Sequence, residues 1–177
     1  MNRYVKANPE LCMGCRTCLA GCAAAHAGDN FFYGDPDAFS FNPKLHMVKT
    51  LKLSTPIHCK HCESPACMAA CVNGCITIQD GVVLLDQSEC IGCKACMVAC
   101  PFGAIDMVSL TEVRLESGEP KVVANKCDLC RGIEGGPVCV DVCLTGALTL
   151  VEEDDLNDML ERRRVEAARA LDAAIFE

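Results

Sequence analysis

Cysteine spacing constrains this chain more than any other feature. The stretch Cys90-Ile91-Gly92-Cys93-Lys94-Ala95-Cys96-Met97-Val98-Ala99-Cys100-Pro101 reads C-x2-C-x2-C-x3-C-P. Gaps of two residues let a tight loop aim three sulfurs at one place. The longer gap, followed by a helical turn, points the fourth sulfur toward a neighbouring site. Such a run is incomplete by itself, and the chain carries three more. Cys12, Cys15, Cys18 and Cys22 repeat the same spacing. Cys59, Cys62, Cys67 and Cys71 widen the middle gap to four residues, including Pro65. Cys127, Cys130, Cys139 and Cys143 widen it to eight, with Gly132, Gly135, Gly136 and Pro137 inside.

Disulfides are the first bland explanation for 17 cysteines in 177 residues, a level at which something besides an apolar core holds the fold. The count is odd, however, and Met1-Asn2-Arg3-Tyr4-Val5-Lys6 is not followed by an apolar leader. Clustered cysteines in a reducing compartment are more often metal ligands, so a cytoplasmic, metal-dependent protein is expected. Four runs of four supply the thiolates of four [4Fe–4S] clusters, and thiolates suit iron because they are soft and anionic. Zinc is the rival. Its structural sites join two C-x2-C knuckles and have no use for the third cysteine that the first and third runs carry.

Other classes are disfavoured. A formal charge of -8 counts against nucleic-acid binding, which needs basic surface. No apolar run approaches the ~20 residues that span a bilayer, so direct membrane insertion is not expected, although a membrane-attached complex could include the chain. No dinucleotide fingerprint, P-loop or nucleophile motif is present. Every expected cluster can be given four cysteines, which leaves no open iron for catalysis. No catalytic residue is therefore assigned, and the chain reads as a non-catalytic electron carrier.

After its last cysteine, each of three runs continues alike: Cys71-Val-Asn-Gly-Cys75-Ile76, Cys100-Pro-Phe-Gly-Ala104-Ile105 and Cys143-Leu-Thr-Gly-Ala147-Leu148. The glycine suits a turn from helix to strand. Repetition of one unit indicates a duplicated module. Cys75, the seventeenth cysteine, occupies an alanine slot and reads as a small buried residue. The spacing also predicts a strand over 3–7, a short helix starting within the first run, an irregular loop over 27–43 and a strand over 44–53. Asp80-Gly81 predicts a hairpin between 76–79 and 82–85. Residues 105–108 and 121–124 form a second expected strand pair. Phe31, Phe32 and Tyr33 read as local packing under the loop. His26, His46, His58 and His61 are expected near the surface or as hydrogen-bond donors. Arg16, Lys60, Lys94 and Arg131 lie in or beside the runs, where they could offset cluster charge.

From Asp154 to Glu177 there is no cysteine, proline or glycine. Leu156, Met159, Leu160, Ala167, Ala170, Leu171, Ala174 and Ile175 recur at helical spacing, and Asp154 or Asp155 can cap the start. This predicts a terminal helix that packs on its own body, on a partner or on another copy.

The four-run arrangement, the gaps of four and eight, and Asn125-Lys126-Cys127-Asp128-Leu129-Cys130 together resemble a known family. It comprises the four-cluster iron–sulfur subunits of formate-hydrogenlyases, formate dehydrogenases, dimethyl-sulfoxide-reductase-type enzymes and tungsten aldehyde oxidoreductases. Met1-Asn2-Arg3 and Cys12-Met13-Gly14-Cys15-Arg16-Thr17-Cys18 look like its small hydrogenlyase-type members. The resemblance covers residues 1–151. It implies an α+β fold of two fused bacterial 2[4Fe–4S] ferredoxin-like modules, one inserted in the other, with a C-terminal helical tail. The outer module would comprise 1–56 with 105–152, the inserted one 57–104, and the tail 153–177. End-to-end nesting suggests the same pairing of runs as the resemblance implies. Cys59, Cys62, Cys67 and Cys100 would hold one cluster, and Cys90, Cys93, Cys96 and Cys71 the next. Cys12, Cys15, Cys18 and Cys143 would hold the third, and Cys127, Cys130, Cys139 and Cys22 the last. The implied partner is a catalytic molybdenum- or tungsten-pterin subunit or a hydrogenase subunit, with a free-standing polyferredoxin as the alternative. Some relatives use terminal helices to join copies into filaments, so self-association through the tail is a further expectation. Proline follows the last cysteine in the third run alone; Ala23, Val72 and Leu144 stand there in the others.

Overall fold

The computed structural model describes residues 3–28, 30–34 and 40–175. The chain opens with β1 (Tyr4–Ala7), α1 (Thr17–Ala27), α2 (Asn30–Tyr33), β2 (His46–Lys49) and β3 (Ser54–Ile57). It continues through α3 (Ala66–Ala69), β4 (Ile76–Gln79), β5 (Val82–Leu85) and α4 (Ala95–Ala99). The last elements are β6 (Ile105–Arg114), β7 (Pro120–Lys126), α5 (Val138–Asp141), β8 (Leu148–Val151) and α6 (Glu153–Ile175). This is an α+β fold of short helices and two-stranded antiparallel sheets.

Each sheet pairs local strands except one. β1 pairs with β8, Tyr4 opposite Val151 and Ala7 opposite Leu148, so strands near the two ends of the sequence close over everything between them. The Asp-Gly hairpin forms as the sequence predicts, with Asp80 and Gly81 both at positive φ, the geometry of a two-residue hairpin turn. β6 and β7 extend well beyond the expected four residues each, and a tight turn at Leu115–Glu119 joins them.

Two expectations are corrected. Residues 44–53 are not one strand: β2 turns at Thr50 into β3, with Met47 opposite Pro56. The Thr50 hydroxyl accepts hydrogen bonds from the N–H groups of Lys52 and Leu53. Side-chain to backbone bonding makes the turn without glycine. The irregular loop over 27–43 contains the single turn α2. Tyr33 projects outward, 88% exposed, and Phe31 is half-buried; residues 35–39 and the Phe32 side chain lie outside the described set.

The interior is divided. One apolar cluster joins Val5, Leu45, Val82, Leu129 and Leu148 with Cys18, Cys22, Cys59, Cys127 and Cys139. A second joins Ile76, Val83, Ile105, Val123 and Ala124 with Cys67, Cys75, Cys90 and Cys96. Cysteine sulfurs thus fill much of the space that aliphatic side chains fill elsewhere.

The tail is helical as the periodicity predicts. Asp155 accepts a hydrogen bond from the backbone N–H of Glu152 at 2.9 Å, the reciprocal half of a capping box. Leu156 and Met159 are half-buried, whereas positions 160–170 are exposed. That stretch does not pack on its own body. The side chains of 171–175 lie outside the described set.

Candidate metal centres

Each cysteine run curls because it holds residues in the left-handed backbone region. Gly14 and Arg16 have φ of 71° and 65° in the first run; Gly92 and Lys94 have 70° and 67° in the third. Glycine adopts that region freely and other residues at some cost. Arg16 and Lys94 are also the residues from which α1 and α4 begin. In the second and fourth runs Pro65 and Pro137 start α3 and α5 instead. The fixed φ of proline suits a helix start, so the widened gaps end in a defined turn.

The curled loops bring thiols of different runs within reach of one another's charge. Cys59 and Cys67 feel the charge of Cys100, and Cys59 also feels Cys62. Cys96 neighbours Cys90, Cys93 and Cys71. Cys139 neighbours Cys127, Cys130 and Cys22. Cys18 neighbours Cys12 and Cys15, and Cys15 in turn feels Cys143. In every group, the fourth cysteine arrives from a different run. Cys71, Cys90, Cys93 and Cys96 also line a recess of about 300 Å³, counting its open mouth.

Several sulfurs accept backbone hydrogen bonds. Lys44 N–H donates to Cys22 at 3.2 Å, Ala124 N–H to Cys90 at 3.4 Å and Leu129 N–H to Cys127 at 3.4 Å. His61 N–H and Ala104 N–H donate to Cys59 and Cys100, each at 3.5 Å. Donors aimed at sulfur favour its anionic form. Burial opposes them, pushing the Cys18 thiol up to about 11 and Cys127 up to about 12. Buried sulfurs surrounded by other sulfurs need cationic metal to become thiolates together. All 17 cysteines are free of disulfides. Among the described residues, no three His, Cys, Asp or Glu side chains converge on a point that would hold a single ion. Zinc needs four thiolates on one ion at about 2.3 Å, whereas an iron–sulfur cube gives each thiolate its own iron. The donor set fits [4Fe–4S] clusters.

The groups also stand in relation to one another. Cys139 feels the charge of Cys18, and Cys127 that of Cys59. The second relation links the fourth run to the second.

Other expected site residues fall variously. Cys75 is buried with its Sγ 3.3 Å from that of Cys71. His58 and His61 are the correction: both are fully buried, and His61 Nδ1 accepts the Val83 N–H at 3.1 Å. Neither His58 ring nitrogen has a partner among the described residues. Desolvation and the Lys60 charge hold His58 down to about 4. The polar stretch His-Cys-Lys-His-Cys hid this burial. Lys60 lies over the Tyr4 ring at 4.9 Å, and Arg131 pairs with Asp80 at 2.6 Å. Arg16 and Lys94 are exposed.

Two features escaped the sequence reading. Lys126 is buried beside Cys127. Asp128 joins His26 Nε2 at 3.0 Å and Lys44 Nζ at 2.6 Å, tying α1 to the fourth run. Burial alone would raise the Asp128 carboxyl, but those two hydrogen bonds and their charges hold it well below the usual range. A lysine closing an otherwise apolar strand, Val122-Val123-Ala124-Asn125-Lys126, was the available signal.

Short hairpins and helices around clustered, disulfide-free cysteines define a ferredoxin-like iron–sulfur protein. Residues 51–153 match the family described as the 4Fe-4S dicluster domain, and the chain belongs to that family. It is 38% identical over 169 residues to the electron transport protein HydN of Escherichia coli K12, covering 93% of this chain and 96% of that one. Identity to formate hydrogenlyase subunit 2 of the same organism is 35% over 188 residues, covering 93% and 89%. The putative oxidoreductase AegA, also from that organism, is 40% identical over 169 residues; the match covers 96% of this chain but only 25% of the relative.

Proposed function

We propose that the chain is an electron-relay subunit carrying four [4Fe–4S] clusters to or from a catalytic partner. Cys59, Cys62, Cys67 and Cys100 would hold one; Cys90, Cys93, Cys96 and Cys71 another. Cys12, Cys15, Cys18 and Cys143 would hold a third, and Cys127, Cys130, Cys139 and Cys22 the fourth. The carrying observation is that Cys127 and Cys59 share one buried cluster and that each lies within reach of the other's charge. It supports a single file, in which the two middle groups meet and the Cys12 and Cys90 groups lie at the ends. Each bound cluster supplies one-electron redox chemistry through iron that stays in place. The protein's part is to hold the thiolates, keep water from the buried ones and direct N–H donors at sulfur.

The pairing of β1 with β8 around the rest supports an insertion, with 1–56 and 105–152 as the outer module and 57–104 as the inner. Formate hydrogenlyase subunit 2 as a relative supports a partner of the formate dehydrogenase, aldehyde oxidoreductase or hydrogenase kind. HydN, named as an electron transport protein over nearly the same length, supports the second reading, a free-standing carrier. Both readings put the protein in the cytoplasm; no helix of the described residues is long and apolar enough to cross a membrane.

The tail is assigned to self-association. Glu153, Asp154, Asp155, Asp158 and Glu161 lead into a central block of Arg162, Arg163 and Arg164, and Glu166, Arg169 and Asp172 follow it. A second copy staggered so that the acidic first turns of one helix lie against the arginine block of the other would set acid against base, extending copies toward a conducting filament.

Iron and acid-labile sulfide analysis of anaerobically purified protein tests the reading. About sixteen irons per chain, with a brown colour bleached by dithionite, are expected. Stoichiometric zinc without sulfide would overturn it. Co-purification with a pterin or hydrogenase subunit separates the relay from the free carrier.

A further inference from the structure

Lys126 is the residue whose placement that reading leaves unexplained. It is 3% exposed. Its Nζ donates to the carbonyl of Cys127 at 2.7 Å and to that of Val83. Neutral carbonyls solvate an ammonium without cancelling its charge. Among the described residues, no carboxylate forms an ion pair with it. Asp128, the next acid along, is already held by Lys44 and His26, and Asp86, which lines the same polar recess, accepts from Ser88. A buried cation without an opposite charge is strongly destabilising.

The opposite charge has an evident source. Lys126 acts electrostatically on Cys59 and Cys67 from one group of thiols and on Cys127 from the next. It also lies between strands of the two sheets that serve those groups, since β7 ends on it and β5 supplies Val83. Four thiolates around an iron–sulfur core leave the whole anionic, and more so after each reduction.

We propose that Lys126 is the shared countercharge of the two middle clusters, raising both reduction potentials relative to the terminal pair. This rests on the four-cluster reading. Reduction adds negative charge, and a fixed cation in a low-dielectric interior favours the more negative state. Because the buried Lys126 charge reaches thiols of both groups, it would act on two clusters together and leave the Cys12 and Cys90 groups largely alone. An electron crossing the file would then meet a favourable middle. Lys126 is a positioning residue, since it holds no iron.

The test uses the full chain, purified anaerobically as wild type and as K126M, K126Q and K126R. Iron content comes first: wild type short of about sixteen irons would sink the four-cluster reading, independently of the lysine. Potentiometric titration followed by EPR then reads each reduction step. In K126M and K126Q, two of the four steps should move to lower potential by at least tenfold in equilibrium, about 59 mV for one electron. The other two should stay, and K126R should behave like wild type. Unchanged steps, or a uniform shift of all four, would overturn the inference. If both neutral variants fail to load while K126R loads fully, the cation is required to hold the clusters, which supports it. If all three fail, the lysine matters for its shape and hydrogen bonds, and the countercharge role is refuted.

Discussion

The sulfurs of Cys71 and Cys75 lie 3.3 Å apart across one turn of backbone, within the recess that Cys90, Cys93 and Cys96 also line. Burial and the neighbouring Cys71 push the Cys75 thiol up, the direction that suits it to donate an S–H to an anionic Cys71. Cys71 is lowered in consequence: its modest burial raises it, but the Cys75 hydrogen bond and backbone donors outweigh that. A donor to a ligand is not itself a ligand. C75A should therefore keep the wild-type iron content, whereas C71A should lose about four irons per chain. Iron and sulfide assays of the two variants decide this. Loss of a cluster in C75A and not in C71A would exchange their roles.

Gly92 makes a second expectation. A Cβ there would stand 2.4 Å from the carbonyl oxygen of Val122, and its φ is 70°. G92A thus costs about 1–2 kcal/mol for the left-handed backbone and must also push the third cysteine loop off β7. Gly146 has a similar φ of 63° but open space where the Cβ would go, so G146A carries the backbone cost alone. Anaerobic thermal bleaching should fall clearly further in G92A. Equal losses would mean that the close approach to Val122 does not constrain the loop.

Much of this was legible from local signals. The Asp80-Gly81 turn, the helix after Cys18 and the terminal helix each follow from a short stretch whose chemistry points one way. What failed depended on a side chain standing in for a turn glycine or on contacts distant in sequence. The β2–β3 turn carries no glycine, because Thr50 makes it with its hydroxyl. The burial of His58 and His61 could not be read from a polar stretch; for His61 the partner is Val83, on a strand elsewhere in the chain. Lys126 was hidden in the same way: as sequence, a lysine beside a cysteine reads as surface charge, and tertiary packing makes it interior.

Asp128 is tied to Lys44, to His26 and, through its Oδ1, to the Cys130 N–H at 3.0 Å. Asparagine keeps one acceptor oxygen but loses the charge that draws both cations. Hydrogen bonds to charged groups contribute about 1.5–3 kcal/mol, so D128N should destabilise by about 2 kcal/mol. For a chain of this size that corresponds to roughly 4–8 °C in a thermal transition. The fourth run and α1 should loosen first, which iron release measured against temperature would register. A variant that melts with wild type would show that Lys44 and His26 find other partners.

Removing α6 separates the two jobs assigned to the chain. The helix begins at Glu153, and from 160 to 170 its side chains are exposed. Leu156 and Met159 are half-buried, and Arg3 reaches Glu152, just before the helix, at 3.6 Å. A chain ending at Glu152 should therefore load the same iron as the full length and bleach at nearly the same temperature. Its oligomeric state should change. Full-length protein is expected to form dimers or longer assemblies in light scattering and negative-stain images, and the shortened chain to stay monomeric. Pairing of the acidic first turns with the arginine block of another copy is electrostatic at the surface, so assembly should weaken as salt rises from low to about 1 M, where the screening length falls to about 3 Å. Reversing Arg162, Arg163 and Arg164 together to glutamate should abolish assembly without touching iron content. A full-length chain that stays monomeric at low salt, yet loses co-purification of a catalytic subunit on truncation, would reassign the helix to that partner.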